Sequence, residues 1–320
     1  MDNNKSNFRK EIETFLSIRQ LSVGKSTYDA DERNILLFEK YFIQNYEGKG
    51  CFDFENILHW QHEIYNERNS ESKIQSVRLF LQYYSIISNE QVYIPRHGSK
   101  KSLFIPYIFS DDEFHKILDF VDNYKKQEYF EISMILRLLY GCGLRLNEAL
   151  TLKTSDYFID EGLLFLKNTK FHKERIVPMH KSLANILELY VKRRNLLDVT
   201  DEYIFKKNNQ SGHILSSSVS NVFRKAMINA GINLSEKRPY ERGPCLHSLR
   251  HVFTMKSFSQ FYEDDISLIN TIPYVSFYLG HNSIFETETY LKFGTDMVPF
   301  EMKKFEKASA NIFPEAKDDI

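Results

Sequence analysis

At 320 residues the chain is longer than one ordinary core requires, so two domains are expected. Its 42% hydrophobic and 14% aromatic content excludes a wholly disordered chain, and no uninterrupted apolar run reaches the roughly eighteen residues a membrane helix needs. A formal net charge of -1 and a pI near 6.8 sit far from the pI above about 9 of an openly nucleic-acid-binding domain. An anionic partner would therefore have to be met by local basic clusters such as "KNTKFHKER", "VKRRN", "FKKNN" and "EKRPYER".

The opening "MDNNKSNFRKEIETF" is polar and helical in pattern and lacks the apolar core of a secretory signal, so a cytoplasmic protein is expected. Three helices are predicted before residue 92. The first carries Phe8, Ile12 and Phe15 on one stripe. The second follows Ser26, which with Asp29 three positions on forms a candidate cap, and the third carries Ile74, Val77, Leu81 and Tyr84. The segment "HWQHEIYNER" is a fourth. Prolines at 95 and 106, flanking Gly-Ser-Lys-Lys, have the composition of a linker. The expected division is thus a helical domain over 1–94, a linker over 95–106 and a second domain over 107–320.

The second domain opens with a capping box, Ser110 and Glu113, before Phe114, Ile117, Leu118 and Val121. A helix through "EISMILRLLYGCG" stops at Gly141 and Gly143, and "LRLNEALTL" resumes the helical period, placing Arg145 and Glu148 on one face. The segment "GLLFLKNTKFHKERIVPM" breaks that period. Two short apolar runs around a basic turn predict a hairpin, with Lys170 in or beside the turn. Helices return through Leu183, Ile186, Leu187, Tyr190 and Val191, and again through Val219, Val222, Phe223, Ala226 and Met227. The three cysteines, Cys51, Cys142 and Cys245, are far apart and are expected to be buried thiols rather than disulfides or zinc ligands.

The candidate chemistry centres on "CLHSLRH". His247 and His251 are four apart, as two metal ligands on a helix would be, but the glutamate of HExxH and any further ligand nearby are missing. On this string alone a structural pair, a metal site and an anion clamp around Arg250 all remain open. Further on, "YLGHNSIFETETYLKF" places His281 after a glycine, at what reads as a helix start, with Tyr290 nine residues later. No phosphate-cradling G-x-x-x-x-G-K-[ST] loop and no acidic metal cluster occur, so no cofactor is expected.

In chain order "GCGLRLNEAL", "KFHKERIVP", "HSLRH" and "LGH" with its following tyrosine resemble the boxes of the tyrosine recombinases, also called the phage integrase family. The resemblance implies a mainly α fold with a small β-sheet: a helical core-binding domain followed by a mixed, mostly helical catalytic domain. It implies that Arg145, Lys170, His247, Arg250, His281 and Tyr290 form the active site, with Lys173 the alternative to Lys170. It also implies double-stranded DNA with a specific recombination site as substrate and a homo-tetramer on that DNA. In the family a C-terminal segment docks on a neighbouring subunit, a part that Phe305, Ile312 and Phe313 could play here.

The chemistry fits those residue types. A phenol of pKa near 10 is only about one part in a thousand ionised at pH 7, so a tyrosine nucleophile needs help. Guanidinium groups can take the charge gathering on the phosphate oxygens, and a lysine can protonate the departing oxygen. Type IB topoisomerases use a similar set of residues, and a DNA-binding regulator without catalysis is the alternative from another class. The segment from Arg250 to His281 is longer than is usual in the family, so the helix delivering His281 is expected to be offset or to carry an insertion.

Overall fold

In this computed structural model the described residues are 5–67, 69–96, 105–124, 127–167, 174–197, 199–206, 212–234, 241–264, 266–281, 283 and 287. The chain divides into two compact units, 1–102 and 103–320.

The first unit is built from α1 (Arg9–Ser22), α2 (Lys25–Tyr46), α3 (Phe54–Ile64) and α4 (Ser70–Ser88). Their apolar stripes meet in an aromatic core of Phe8, Phe15, Phe38, Phe42, Phe52, Trp60 and Phe80, where edge-on ring pairs recur, such as Phe38 against Trp60 at 5.0 Å. Two buried carboxylates are paired rather than stranded. Asp31 accepts from Arg19 and Ser76, and Glu39 from Arg9 and Ser6. The expected cap at Ser26 is not formed. Gly24 precedes α2 and Ser26 lies inside its first turn. The side-chain cap belongs instead to α3, where Asp53 accepts from the Asn56 amide at 2.8 Å.

The second unit begins at β1 (Ile105–Pro106) and α5 (Asp111–Asp122), whose Ser110/Glu113 capping box is complete. There follow α6 (Gln127–Cys142), α7 (Leu146–Leu150), β2 (Tyr157–Phe158), β3 (Leu163–Leu166) and β4 (Arg175–Pro178). The unit continues with α8 (Lys181–Arg193), α9 (Ser216–Asn229), β5 (Glu241–Arg242), α10 (Leu246–Glu263) and α11 (Leu268–Leu279). The predicted hairpin is β3 and β4, antiparallel with Leu166 opposite Arg175, and β2 adds a third strand along β3. Its turn lies outside the described residues. β1 and β5 pair in parallel, a contact between segments too short to announce themselves. The fold is thus mostly helical with a small sheet, as expected. Leu138, Leu139, Leu150, Leu164, Leu187, Phe223 and Leu249 lie in one core, and a satellite of Phe258, Ile272, Val275 and Leu279 joins α10 to α11.

The expectation of three buried thiols is corrected. Only Cys142 is buried, its thiol pushed up to about 12 by that burial, whereas Cys51 is exposed and Cys245 half-buried. Gly280, with φ of +65°, closes α11 in the left-handed conformation; His281 follows it, and Thr287, six residues on, is helical again. The long stretch after Arg250 holds the rest of α10, which runs eighteen residues, and α11, which keeps Pro273 within its length.

Candidate active site

The site is assembled where three segments end. The α6 helix stops at Cys142, and Gly143 turns the chain at φ of +61°, its α-carbon so close to Phe253 that a Cβ there would lie 2.5 Å from the ring. Leu144 is buried, and Arg145 is the N-cap residue of α7. Glu148, in the first turn of α7, accepts the Arg145 amide through Oε2 at 2.8 Å and Arg145 Nη1 through Oε1 at 2.9 Å. The other amino group of Arg145, Nη2, reaches across to the Gly280 carbonyl at 3.3 Å.

Arg250 lies one turn after His247 on α10 and is 1% exposed. Its Nη1 donates to the Gly143 carbonyl at 2.6 Å and its Nη2 to the Leu279 carbonyl at 2.6 Å. Adjacent carbonyls at the end of α11 thus receive the two guanidiniums that the sequence singled out. His247, exposed, sets its ring edge-on to that of the buried His251 at 4.7 Å.

His281 stands beside this cluster with its Nδ1 2.7 Å from Thr287 Oγ1. Burial and then the charges of Arg250, Arg145, His247 and Arg175 push its pKa down to about 3. These four cationic or basic groups all act on the one imidazole. His281 is therefore neutral at physiological pH.

Arg175, at the start of β4, is a member of the cluster that sequence reasoning missed. It grips Glu148 with a two-pronged pair, Nη1 to Oε1 at 3.0 Å and Nη2 to Oε2 at 2.8 Å, and both side chains are only 6% exposed. Burial acts to raise the Glu148 carboxyl, but Arg175, with help from Arg145, overrides it and holds the pKa at about 2. A signal for Arg175 existed. In a strand of period two it shares the inward face with Val177, and a charge on an inward face needs a partner.

Of the six residues expected in the site, Arg145, His247, Arg250 and His281 are brought together, while Lys170 and Tyr290 lie outside the described residues, as does Lys173. Among the described residues no three His, Cys, Asp or Glu side chains are grouped as metal ligands. Three guanidiniums against one carboxylate leave the cluster with surplus positive charge, suited to a phosphodiester.

Residues 108–294 match the sequence profile of the phage integrase family, and the chain belongs to that family, whose members are the tyrosine recombinases, enzymes that transfer DNA strands. Among relatives, Tyrosine recombinase XerA of Pyrococcus horikoshii is 26% identical over 91% of this chain and 90% of its own length. Among solved structures, the XerH recombinase bound to its palindromic difH substrate in a post-cleavage complex superposes with a TM-score of 0.66 at 16% identity, over 90% of this chain and 80% of that one. The Tn1549 transposon integrase in complex with circular-intermediate DNA gives 0.65 at 15% identity, over 92% and 98%. These two likenesses establish the fold.

Proposed function

We propose that this chain is a site-specific recombinase of a bacterial mobile element or phage, cutting and rejoining duplex DNA through a 3′-phosphotyrosyl intermediate formed on Tyr290. The observation that carries the reading is the meeting of Arg145 and Arg250 on the carbonyls of Gly280 and Leu279, next to His281. Family membership supplies the reaction class, and the DNA complexes of XerH and the Tn1549 integrase support DNA as the partner.

In this mechanism the phenolic oxygen of Tyr290 attacks phosphorus as the bond to the 5′-oxygen breaks. The charge gathering on the non-bridging oxygens is taken by Arg145 and Arg250. Lys170 gives a proton to the departing 5′-oxygen, and His247 accepts the tyrosine proton or supports the phosphate. His281 enters neutral and donates a hydrogen bond to a phosphate oxygen from Nε2, the tautomer favoured when the Thr287 hydroxyl donates to Nδ1. A 5′-hydroxyl from the partner strand then attacks the phosphotyrosine and releases Tyr290. The ester preserves the bond energy, so neither metal nor nucleotide is needed. Both units engage the DNA, four copies assemble on two sites, and the protein acts in the cytoplasm.

A suicide substrate nicked beside the crossover point tests this. The wild-type protein is expected to form a covalent adduct that resists denaturant, and Tyr290→Phe to form none. An equal adduct from Tyr290→Phe removes Tyr290 as the nucleophile. Relaxation of plasmids that carry no specific site would instead favour a topoisomerase outcome for the same chemistry.

A further inference from the structure

We infer that Arg175 is a positioning residue for strand cleavage, locking Glu148 so that the carboxylate aligns Arg145 without neutralising it. The inference rests on the strand-transfer reading above.

Glu148 by itself is a problem for an anion site. It is a buried carboxylate held ionised beside Arg145, and paired with Arg145 alone it would cancel the charge that a phosphate must meet. Arg175 resolves this by taking one proton donor's place on each oxygen, Nη1 on Oε1 and Nη2 on Oε2. Each oxygen of Glu148 is then shared between Arg175 and Arg145, the latter through Nη1 on one oxygen and its own amide on the other. The carboxylate becomes a fixed bracket whose charge is offset by Arg175, and the positive charge of Arg145 stays available to an incoming phosphate.

The same guanidinium also bears on the turn that delivers His281. A Cβ on Gly280 would lie 3.0 Å from Arg175 Nη1 and 3.3 Å from its Cδ, so the main chain at Gly280 rests against Arg175 with only a hydrogen between them. The Gly280 carbonyl receives Arg145. Arg175 thus touches the bracket behind one active-site group and the backbone before another. It begins β4, five residues after Lys170 in the sequence. Seating of β4 and alignment of Arg145 are in this way a single event.

The chemistry requires arginine in particular. Lysine keeps the charge but presents a point donor, which cannot hold both carboxylate oxygens in one plane. Arg175→Lys is therefore expected to lower the single-turnover cleavage rate at saturating suicide substrate by about 10- to 100-fold, with DNA affinity within about threefold of wild type. In a Glu148→Gln background, where the bracket is already lost, Arg175→Lys is expected to change that rate by less than about threefold. Rates are taken per folded molecule, from circular dichroism of each variant, so that a fold-stabilising role leaves them unmoved. Arg175→Gln serves the same cycle should the lysine variant fail to fold.

A wild-type cleavage rate in both Arg175 variants, or an equal loss in the presence and absence of Glu148, overturns the inference. A wild-type protein that forms no adduct at all overturns the strand-transfer reading instead.

Discussion

At the scale of single residues, His281 is the group whose state the surroundings dictate most strongly. Its pKa, pushed from 6.5 to about 3, means that between those values the unfolded chain binds a proton there and the folded chain does not. Its contribution to stability is thus whole above pH 6.5 and is lost as pH falls from there towards 3. A phosphodiester placed among Arg250, Arg145 and Arg175 reverses part of this, because its negative charge offsets the cations that suppress the proton. DNA binding near pH 5.5 is therefore expected to take up protons. Titration calorimetry in buffers of different ionisation enthalpy measures that uptake, and His281→Asn is expected to reduce it. Uptake undiminished in the variant would place the titrating group elsewhere.

At the scale of elements, the ends of helices rather than their bodies build the site, and this governs what a sequence could reveal. The N-cap position of Arg145 and its pairing with Glu148 are legible, because residues three apart at a helix start must face each other. The hairpin is legible from its change of period, although a strand as short as β2 is not. The acceptors that orient Arg250 could not be read at all. They are backbone carbonyls 107 and 29 residues away, and every residue type carries one. The left-handed glycine at 280 marks the end of α11, a boundary that the spacing of the LGH box does not by itself reveal.

Gly143 puts the geometry of these endings to the test. Alanine there adds a left-handed penalty of about 1–2 kcal/mol and a contact with Phe253 costing about 1–3 kcal/mol. Urea unfolding is expected to register a loss of roughly 2–5 kcal/mol for Gly143→Ala. In a Phe253→Ala background the cost of the same change is expected to shrink to the backbone part, about 1–2 kcal/mol. An unchanged cost in both backgrounds would show that the ring is not what fills the space.

At the scale of the whole molecule, the two units bury separate cores. The first is organised around Phe38 and Phe80 and the second around Ile135, Leu139 and Leu249, with no residue in common among those described. Each then has the means to unfold on its own. The single tryptophan of the chain, Trp60, is buried in the first core and reports that unit alone, whereas circular dichroism reports the helices of both. Denaturation followed by the two signals is expected to give non-coincident transitions, and superimposable curves would mean that the units unfold as one. The two-part organisation was visible in the sequence as a change from helical periodicity to linker composition. The net charge of -1 gave no sign of an anionic partner, because it conceals how the arginines gather.

The hold of Arg250 on the carbonyls of Gly143 and Leu279 carries a lesson about mutational robustness. A peptide oxygen survives any exchange of the side chain beside it, so substitution of Arg250 removes this linkage outright, whereas substitution at Leu279 leaves its acceptor in place. The Glu148–Arg175 linkage is exposed to loss from either partner. Selection for inactive clones from a random library should accordingly recover lesions at both 148 and 175, but at Leu279 only those that disturb its apolar packing.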